Sequence, residues 1–539
     1  MSSDRIRMSG LVSGLDTETI VGALVSAASY KTTKLKNTQT KLGWKQETWK
    51  SLNSEVYSLY SGKLDNMRYQ GNYNAKKATI DNDIATVTAD NNAILGSQTL
   101  EVHQMAKSGY LTGGKVTMGN TDTLAGSSAL LGDVFGISNF SADEVANGFK
   151  INVTVGGQAK EVALDVNMTM DKVAEAFSKA GVSANYDATT GRFFLASKTS
   201  GENANFEIEY GEVGESKTTA QKVLDKLGLA YKYTDTDGKR EYDYSVSGGN
   251  TPVKIQGQNA KIVLNGAEFE SASNTFNING LNITAKGVSE KDPSEPGKFK
   301  ASTVTTSVDV DAVYDSIKDF FKSYNELINK LDTYYNADAA KGYDVLSEKE
   351  KEAMSDDEVE QWEKKIKDSL LRKDDNLNTL ISLFKDNLSK SYVIGGKSYS
   401  LSSFGIETLG YWEAKDNEHG MYHIAGDPDD DSTKSKDDVL KKMISSNPEA
   451  AGEFFSTLFK GVYNELNKSM RFVEGTRSAM KIYDDKLLQT EYDKLGKDIE
   501  SQEKKVTDLE DFYYDKFTAM EKALTKLNAQ SSSFSSMIG

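Results

Sequence analysis

Tyr492-Asp-Lys-Leu-Gly-Lys-Asp-Ile499 opens a stretch whose apolar residues step by alternating threes and fours: Tyr492, Leu495, Ile499, Val506, Leu509, Tyr513, Met520, Ala523 and Leu527. The same register passes through Gln502 and Lys516, so nine of eleven seam positions are apolar. A period of 3.5 sustained over several heptads marks a helix that must bury a narrow stripe against another helix. The other end of the chain carries a matching signal. Leu35, Leu42, Trp49 and Val56 recur every seven residues, with Leu52 and Leu59 in the second seam position. Leu24 upstream, and Phe517 and Leu524 beside the C-terminal stripe, complete the set expected to meet partners. Two ends of one chain that both need helical partners point to a part that assembles.

Composition narrows the class. The chain has 539 residues, enough for several domains, and a net charge of −16. So acidic a chain is not built for nucleic acid, which calls for clustered Lys and Arg. It has no cysteine, which removes disulfides, thiol catalysis and cysteine-based metal sites together. No segment approaches the ~18–20 apolar residues of a membrane span. The N-terminus does not read as a cleavable secretory signal, because its apolar patch Ile20–Val25 sits behind Asp16 and Glu18 rather than behind basic residues. The expectation is a cytoplasmic chain or one exported without such a signal.

The five prolines all lie between residues 252 and 448, so both terminal helical patterns run free of them. The C-terminal helix is expected over about 478–528, with Gln530–Phe534 as a frayed tail. Between the ends the period falls to two. Strands are expected at 78–81, 85–89, 99–102 and 149–158. A short helix over 170–180 precedes a hairpin formed by 182–187 and 192–197. Three further strands fill 255–286, punctuated by Asn265-Gly266 and Asn279-Gly280. Helices return at 309–333, 347–371 and 375–391, a strand–turn segment spans 399–424, and helices resume from Ser435. The fold expected is an α+β multidomain chain. It has a discontinuous helical, coiled-coil base from both termini, with β-rich domains inserted mid-chain.

Sites for chemistry are weak. His419 and His423 lie four apart but in a Gly- and Tyr-rich hairpin, without the Glu of a zinc-protease motif. They read as strand or turn residues, and His103 as a packing residue. Asp427, Asp429, Asp431 and Asp438 partly mimic a calcium loop, but Ser432 stands where Gly is required, so a solvated acidic loop is expected. Gly10–Gly14 is too short for a phosphate loop and reads as a bend before a helix capped by Asp16 or Thr17. Trp44 and Trp49 beside the seam serve either core packing or interface anchoring. No nucleophile–base constellation stands out, so an enzyme is the least expected class.

The opening Ile6-Arg-Met-Ser-Gly-Leu-Val-Ser-Gly-Leu-Asp-Thr resembles the N-terminal motif of the flagellar filament-cap family. Gly181–Lys198, Gly257–Gly266 with Ser273–Phe276, and the Asp309–Leu331 helix resemble that family's hairpin, next β-domain and return helix. Tyr513–Gly539 is the strongest match. The resemblance divides the chain into four parts. Residues 1–40 and 495–539 form a terminal coiled-coil leg. Residues 41–75 and 302–494 form a helical domain with a β-hairpin and a helical insertion at 341–373. Residues 76–112 and 252–301 form a β-rich domain, and 113–251 an outer β-rich domain.

The resemblance implies a homo-oligomeric ring, commonly a pentamer, at the distal tip of the flagellum. There it would meet flagellin through its legs and promote flagellin insertion. It implies an export chaperone, the type III export apparatus and an extracellular location, with no cofactor, nucleic acid or membrane span. The alternatives are another flagellar axial or junction protein, or a surface adhesin that binds host glycans through its β-rich domains.

Overall fold

In the computed structural model, which describes residues 13–208, 218–230, 232–236, 239–243, 252–410, 412–415 and 418–538, both terminal stripes become long helices. Helix α1 spans Thr17–Ser58. Asp16 caps it by accepting the Thr19 amide at 3.1 Å, which settles the choice of cap. Its last turns continue as a π-helix at Leu59–Leu64. At the other end, α6 spans Asp485–Ile538. It extends beyond the expected stop near Asn528, because Ser532, Ser533 and Ser536 satisfy their hydroxyls on the preceding turn and leave the backbone ladder intact.

Contacts divide the chain into two units, residues 1–74 with 310–539, and residues 75–309. The first is helical. Its body is built from α2 (Val310–Tyr335), α4 (Asp375–Leu388) and α5 (Pro448–Ser469). Apolar residues at helical spacing on α2, including Ile317, Phe320, Tyr324 and Ile328, are all buried. Phe320 packs on Phe459 of α5 with ring centroids 4.3 Å apart, and Tyr324 meets Phe384 of α4 edge-on at 5.7 Å. Between α2 and α4 lies α3 (Asp356–Ser369), whose N-terminus is a capping box made by Ser355 and Glu358.

The second unit is antiparallel β. A five-stranded sheet has the order 76–80, 302–308, 96–104, 260–264, 267–271. With the three-stranded sheet 275–278, 281–285, 85–89 it encloses a core of Leu100, Val102, Ile262, Phe276, Ile283 and Val304. A second core, around Val153, Phe177, Phe193, Leu195 and Phe206, is closed by a four-stranded and a three-stranded sheet. Both expected Asn-Gly turns form, with Asn265, Gly266, Asn279 and Gly280 all at positive φ.

One expected boundary is corrected. Ser302–Val308 pairs with both 76–80 and 96–104, so it is a central strand of the β unit and not the start of the helical domain. Its Thr- and Ser-rich alternation hides a strand whose inward residues are Ser302, Val304 and Thr306. The stretch 255–286, expected to hold three strands, holds four: 260–264, 267–271, 275–278 and 281–285.

At the edge of the four-stranded sheet, Val253–Ile255 points its apolar residues outward and Lys254 inward. Lys254 is 7% exposed, donates to the Phe206 carbonyl and lies 3.4 Å from the centre of the Phe206 ring. Burial, partly opposed by the Glu207 charge, pushes its ammonium down to about 7. The unfolded chain therefore holds the extra proton between pH 7 and the ordinary lysine range, and stability must rise with pH across that window. Amide-exchange protection at Leu111 and Thr112, paired with this strand, is expected to increase from pH 7 to 10 after correction for intrinsic exchange. The gain is on the order of 3 kcal/mol, and Lys254→Met removes it. A flat profile in the parent protein contradicts this placement of the lysine.

Candidate assembly interface

Helices α1 and α6 run antiparallel and form a two-helix stalk on the helical body. Asn53 fixes the base: its Nδ2 donates to the Met480 carbonyl at 3.3 Å and its Oδ1 accepts the Ile482 amide at 2.9 Å. Trp49, 1% exposed, stacks on Tyr483 at 5.3 Å with the rings 8° apart. Higher up, Gln46 Nε2 donates to Gln489 Oε1 at 3.5 Å and Gln39 Nε2 to the Tyr492 carbonyl at 3.2 Å. Lys36 pairs with Glu503 at 2.6 Å. At the far end the Ser13 amide donates to the Glu521 carboxylate at 3.3 Å. The helices approach closely where a side chain on Gly43 would meet Tyr492, and one on Gly496 would meet Gln39 at 3.2 Å.

The seam differs from the expected stripe in a physically instructive way. On α6 the residues turned toward α1 are Tyr492, Leu495, Ile499, Gln502, Val506, Leu509 and Tyr513, then Phe517, Met520 and Leu524. Of these Ile499 and Gln502 are buried and the rest half-buried. Between Leu509 and Phe517 two steps of four follow one another, which lets a straight helix keep its face to its partner. Lys516 and Ala523 therefore leave the seam, and Leu527 is 63% exposed. The expectation that Lys516 interrupts the seam is corrected, and Gln502 is the polar interruption.

On α1 the lane of Leu35, Leu42, Trp49 and Val56 faces inward, half-buried at Leu35 and Leu42 and fully buried at Trp49 and Val56. The second lane along the stalk is not that of Leu52 and Leu59. It is Val25, Thr32, Gln39, Gln46 and Asn53, again every seven residues, with Val25, Thr32 and Asn53 buried. These polar seam residues escape a search for apolar periodicity; their heptad spacing from Val25 is the signal that could have found them. Leu52 and Leu59 are buried at the level of the body. Leu24 shares their lane, which carries Lys31, Thr38 and Lys45 further up the stalk, and is 44% exposed.

The seam is thus mixed, with the Gln502 amide 8% exposed among apolar neighbours on α6. Gln502→Leu is expected to stabilise the stalk by about 1 kcal/mol, read as slower amide exchange over 499–506. Unchanged or faster exchange would show that this position is not a seam position.

A second apolar set stays uncovered on α6. Phe512 is 52% exposed, Leu527 63%, Phe534 68% and Met537 86%. Leu527 and Phe534 continue at sevens from the seam residue Met520, so the heptad signal runs past the last α1 contact onto exposed residues.

The chemical candidates resolve into structure. Asp427 and Asp429 both pair with Lys318, at 2.5 and 2.6 Å, and Asp431 pairs with Lys434 at 2.6 Å. Asp430 accepts from His423 Nδ1 at 2.7 Å. Burial opposes ionisation of Asp430, but hydrogen bonds from His423 and the Ser432 amide hold its carboxyl below the usual range. The carboxylates of the calcium-like loop are therefore engaged by the protein's own side chains, and Asp438 accepts the Lys441 amide at 2.9 Å. His423 lies in the strand Tyr422–Ile424 and His419 in the preceding turn. His103 stacks on Phe299 at 4.2 Å. Among the described residues there is no group of three or more metal-ligating side chains, and no helix long and apolar enough to cross a membrane.

A chain whose two ends close on each other as a helical stalk, and whose middle folds as β-rich layers, has the build of an assembly part. The family "Flagellar hook-associated protein 2 N-terminus" matches residues 13–109 and "Flagellar hook-associated protein 2 C-terminus" residues 257–529, and the chain belongs to that family. Flagellar hook-associated protein 2 of Halalkalibacterium halodurans is 21% identical, across 97% of this chain and 98% of its own length. The Escherichia coli protein of the same name is 22% identical over 97% and 96%. The crystal structure of the D1-D2-D3 domains of the Escherichia coli flagellar cap protein FliD aligns with a TM-score of 0.47 at 17% identity, covering 77% of this chain and 95% of that one. The helical ends and β-rich middle expected from sequence are the architecture found.

Proposed function

We propose that the chain caps the filament as a homo-oligomeric ring, expected to be a pentamer, whose stalks are legs that reach the last-added flagellin subunits. The observation that carries this reading is the α6 stripe of Leu527, Phe534 and Met537, a heptad face beyond the α1 contacts that requires a partner. The seam residues hold each leg together, Leu24 and Leu527 face outward toward partners, and the mixed seam leaves the leg adaptable. In this reading residues 1–40 and 495–539 are the leg, and 41–75 and 302–494 the helical domain apart from the strand 302–308. Residues 76–112 and 252–301 form an inner β domain and 113–251 an outer one.

The chain reaches the tip through the flagellar type III export apparatus, escorted by an export chaperone, and promotes flagellin insertion there. Native mass spectrometry with negative-stain imaging tests the ring. Closed five-fold particles are expected; a monomer at all concentrations, or an open polymer, contradicts it.

A further inference from the structure

We propose that residues 341–374 form a releasable splint that sets the direction in which the stalk leaves the helical body. Besides α6 and its own π-helical continuation, α3 is the main element packed against α1. The segment is fixed at its C-terminal end, where Ile366 is 2% and Leu371 0% exposed. Its loop is held in shape by Trp362, whose Nε1 donates to the Asp344 carbonyl at 2.8 Å and whose ring lies 4.6 Å from Tyr343.

Its polar contacts with α1 fall within one helical turn and a half. Asp344 pairs with Lys41 at 2.9 Å, and Asp374 pairs with Lys45 at 2.7 Å. Lys367 sits 4.7 Å over the Trp44 ring while also paired with Glu363 at 3.1 Å. That turn surrounds Gly43, where α1 and α6 approach closely, so the splint acts where a change of direction has most leverage on the stalk.

The quality of these contacts gives the device its character. Asp344 is 86% and Lys367 41% exposed in the side chain, and such exposed ion pairs and cation–π contacts are individually weak and salt-sensitive, whereas Asp374, 8% exposed against Lys45, is the firmer end of the grip. A groove of about 420 Å³ remains beside them, lined by Leu42, Leu370 and Leu495, so the splint lies against the seam without fusing to its core. A polar grip on an otherwise free-standing helix pair favours one direction and lets go under load or at high salt. This deepens the leg reading but stands apart from it, because the direction is a property of the chain alone.

The chain has no cysteine, so spin labels can be placed at will. Labels at Thr33→Cys on the stalk and Thr379→Cys on α4, both exposed, report the stalk's direction by double electron–electron resonance on the full chain. One narrow distance distribution is expected at low salt. It should broaden or shift in Asp344→Lys/Lys367→Glu, and in the parent at 1 M NaCl. Circular dichroism and the melting temperature of the variant should stay close to the parent's, since Asp344 is exposed and Lys367 only half-buried. The same narrow distribution in the variant and at high salt overturns the splint, whatever the filament assay shows. Charge reversal that leaves the distribution intact while Trp362→Ala broadens it would also overturn the polar grip.

Discussion

Deletion of residues 500–539 is expected to abolish filament capping while leaving the β unit folded. The deletion removes Gln502, Val506, Leu509, Tyr513, Phe517, Met520 and Leu524 from the face of α1. Val21, Val25 and Thr32, buried in the intact chain, lose their cover, and a single amphipathic helix in water does not hold its shape without a partner. Helix content should fall by more than the deleted residues account for, because the first half of α1 frays with them. Neither β core draws a residue from beyond Val304, so the β unit should keep its amide protection. Complementation of a cap-deficient strain reads the outcome. Filaments of normal length with the truncated chain would remove the stalk from the mechanism.

Trp49→Ala carries the second large effect. The indole is fully enclosed, stacks on Tyr483, and sits one turn from the Asn53 clasp that joins α1 to the start of α6. Truncating a buried tryptophan removes transfer energy and leaves a cavity, at a cost of about 3–5 kcal/mol. The loss should appear as a lower urea midpoint for the helical unit, with stalk amides near Leu42 and Leu495 losing protection first. Trp49→Phe, which retains a ring for Tyr483, should recover a large part of it. A change below about 1 kcal/mol would show that the base of the stalk does not depend on this contact. Trp49 is thus a core residue at the point where the stalk is anchored.

The sequence and the structure agree where local and tertiary forces act together. The heptads of α1 and α6 were legible because a helix with an apolar stripe has few alternatives. The two Asn-Gly turns were legible because both central residues need positive φ. The residues that were missed obey other rules. Thr32, Gln39, Gln46 and Asn53 form a seam lane by position and hydrogen bonding rather than by hydropathy. The step of four from Tyr513 to Phe517 belongs to the geometry of a straight helix, which a strict 3.5 repeat cannot express. Ser302–Val308 is a strand because its neighbours 76–80 and 96–104 supply partners on both sides. The serine-rich end of α6 is helical because its hydroxyls bond back to their own helix.

The stalk closes within one chain around a mixed seam, and Leu527, Phe534 and Met537 stay exposed beyond it. Its test is electron cryo-microscopy of filament tips in cells that make the chain with a tag inserted away from the stalk. A closed ring confined to the distal tip is expected, with one α1–α6 pair per subunit directed into the filament end. Density along the shaft or at the hook junction, or a tip ring whose helix pairs point away from the filament, would contradict it.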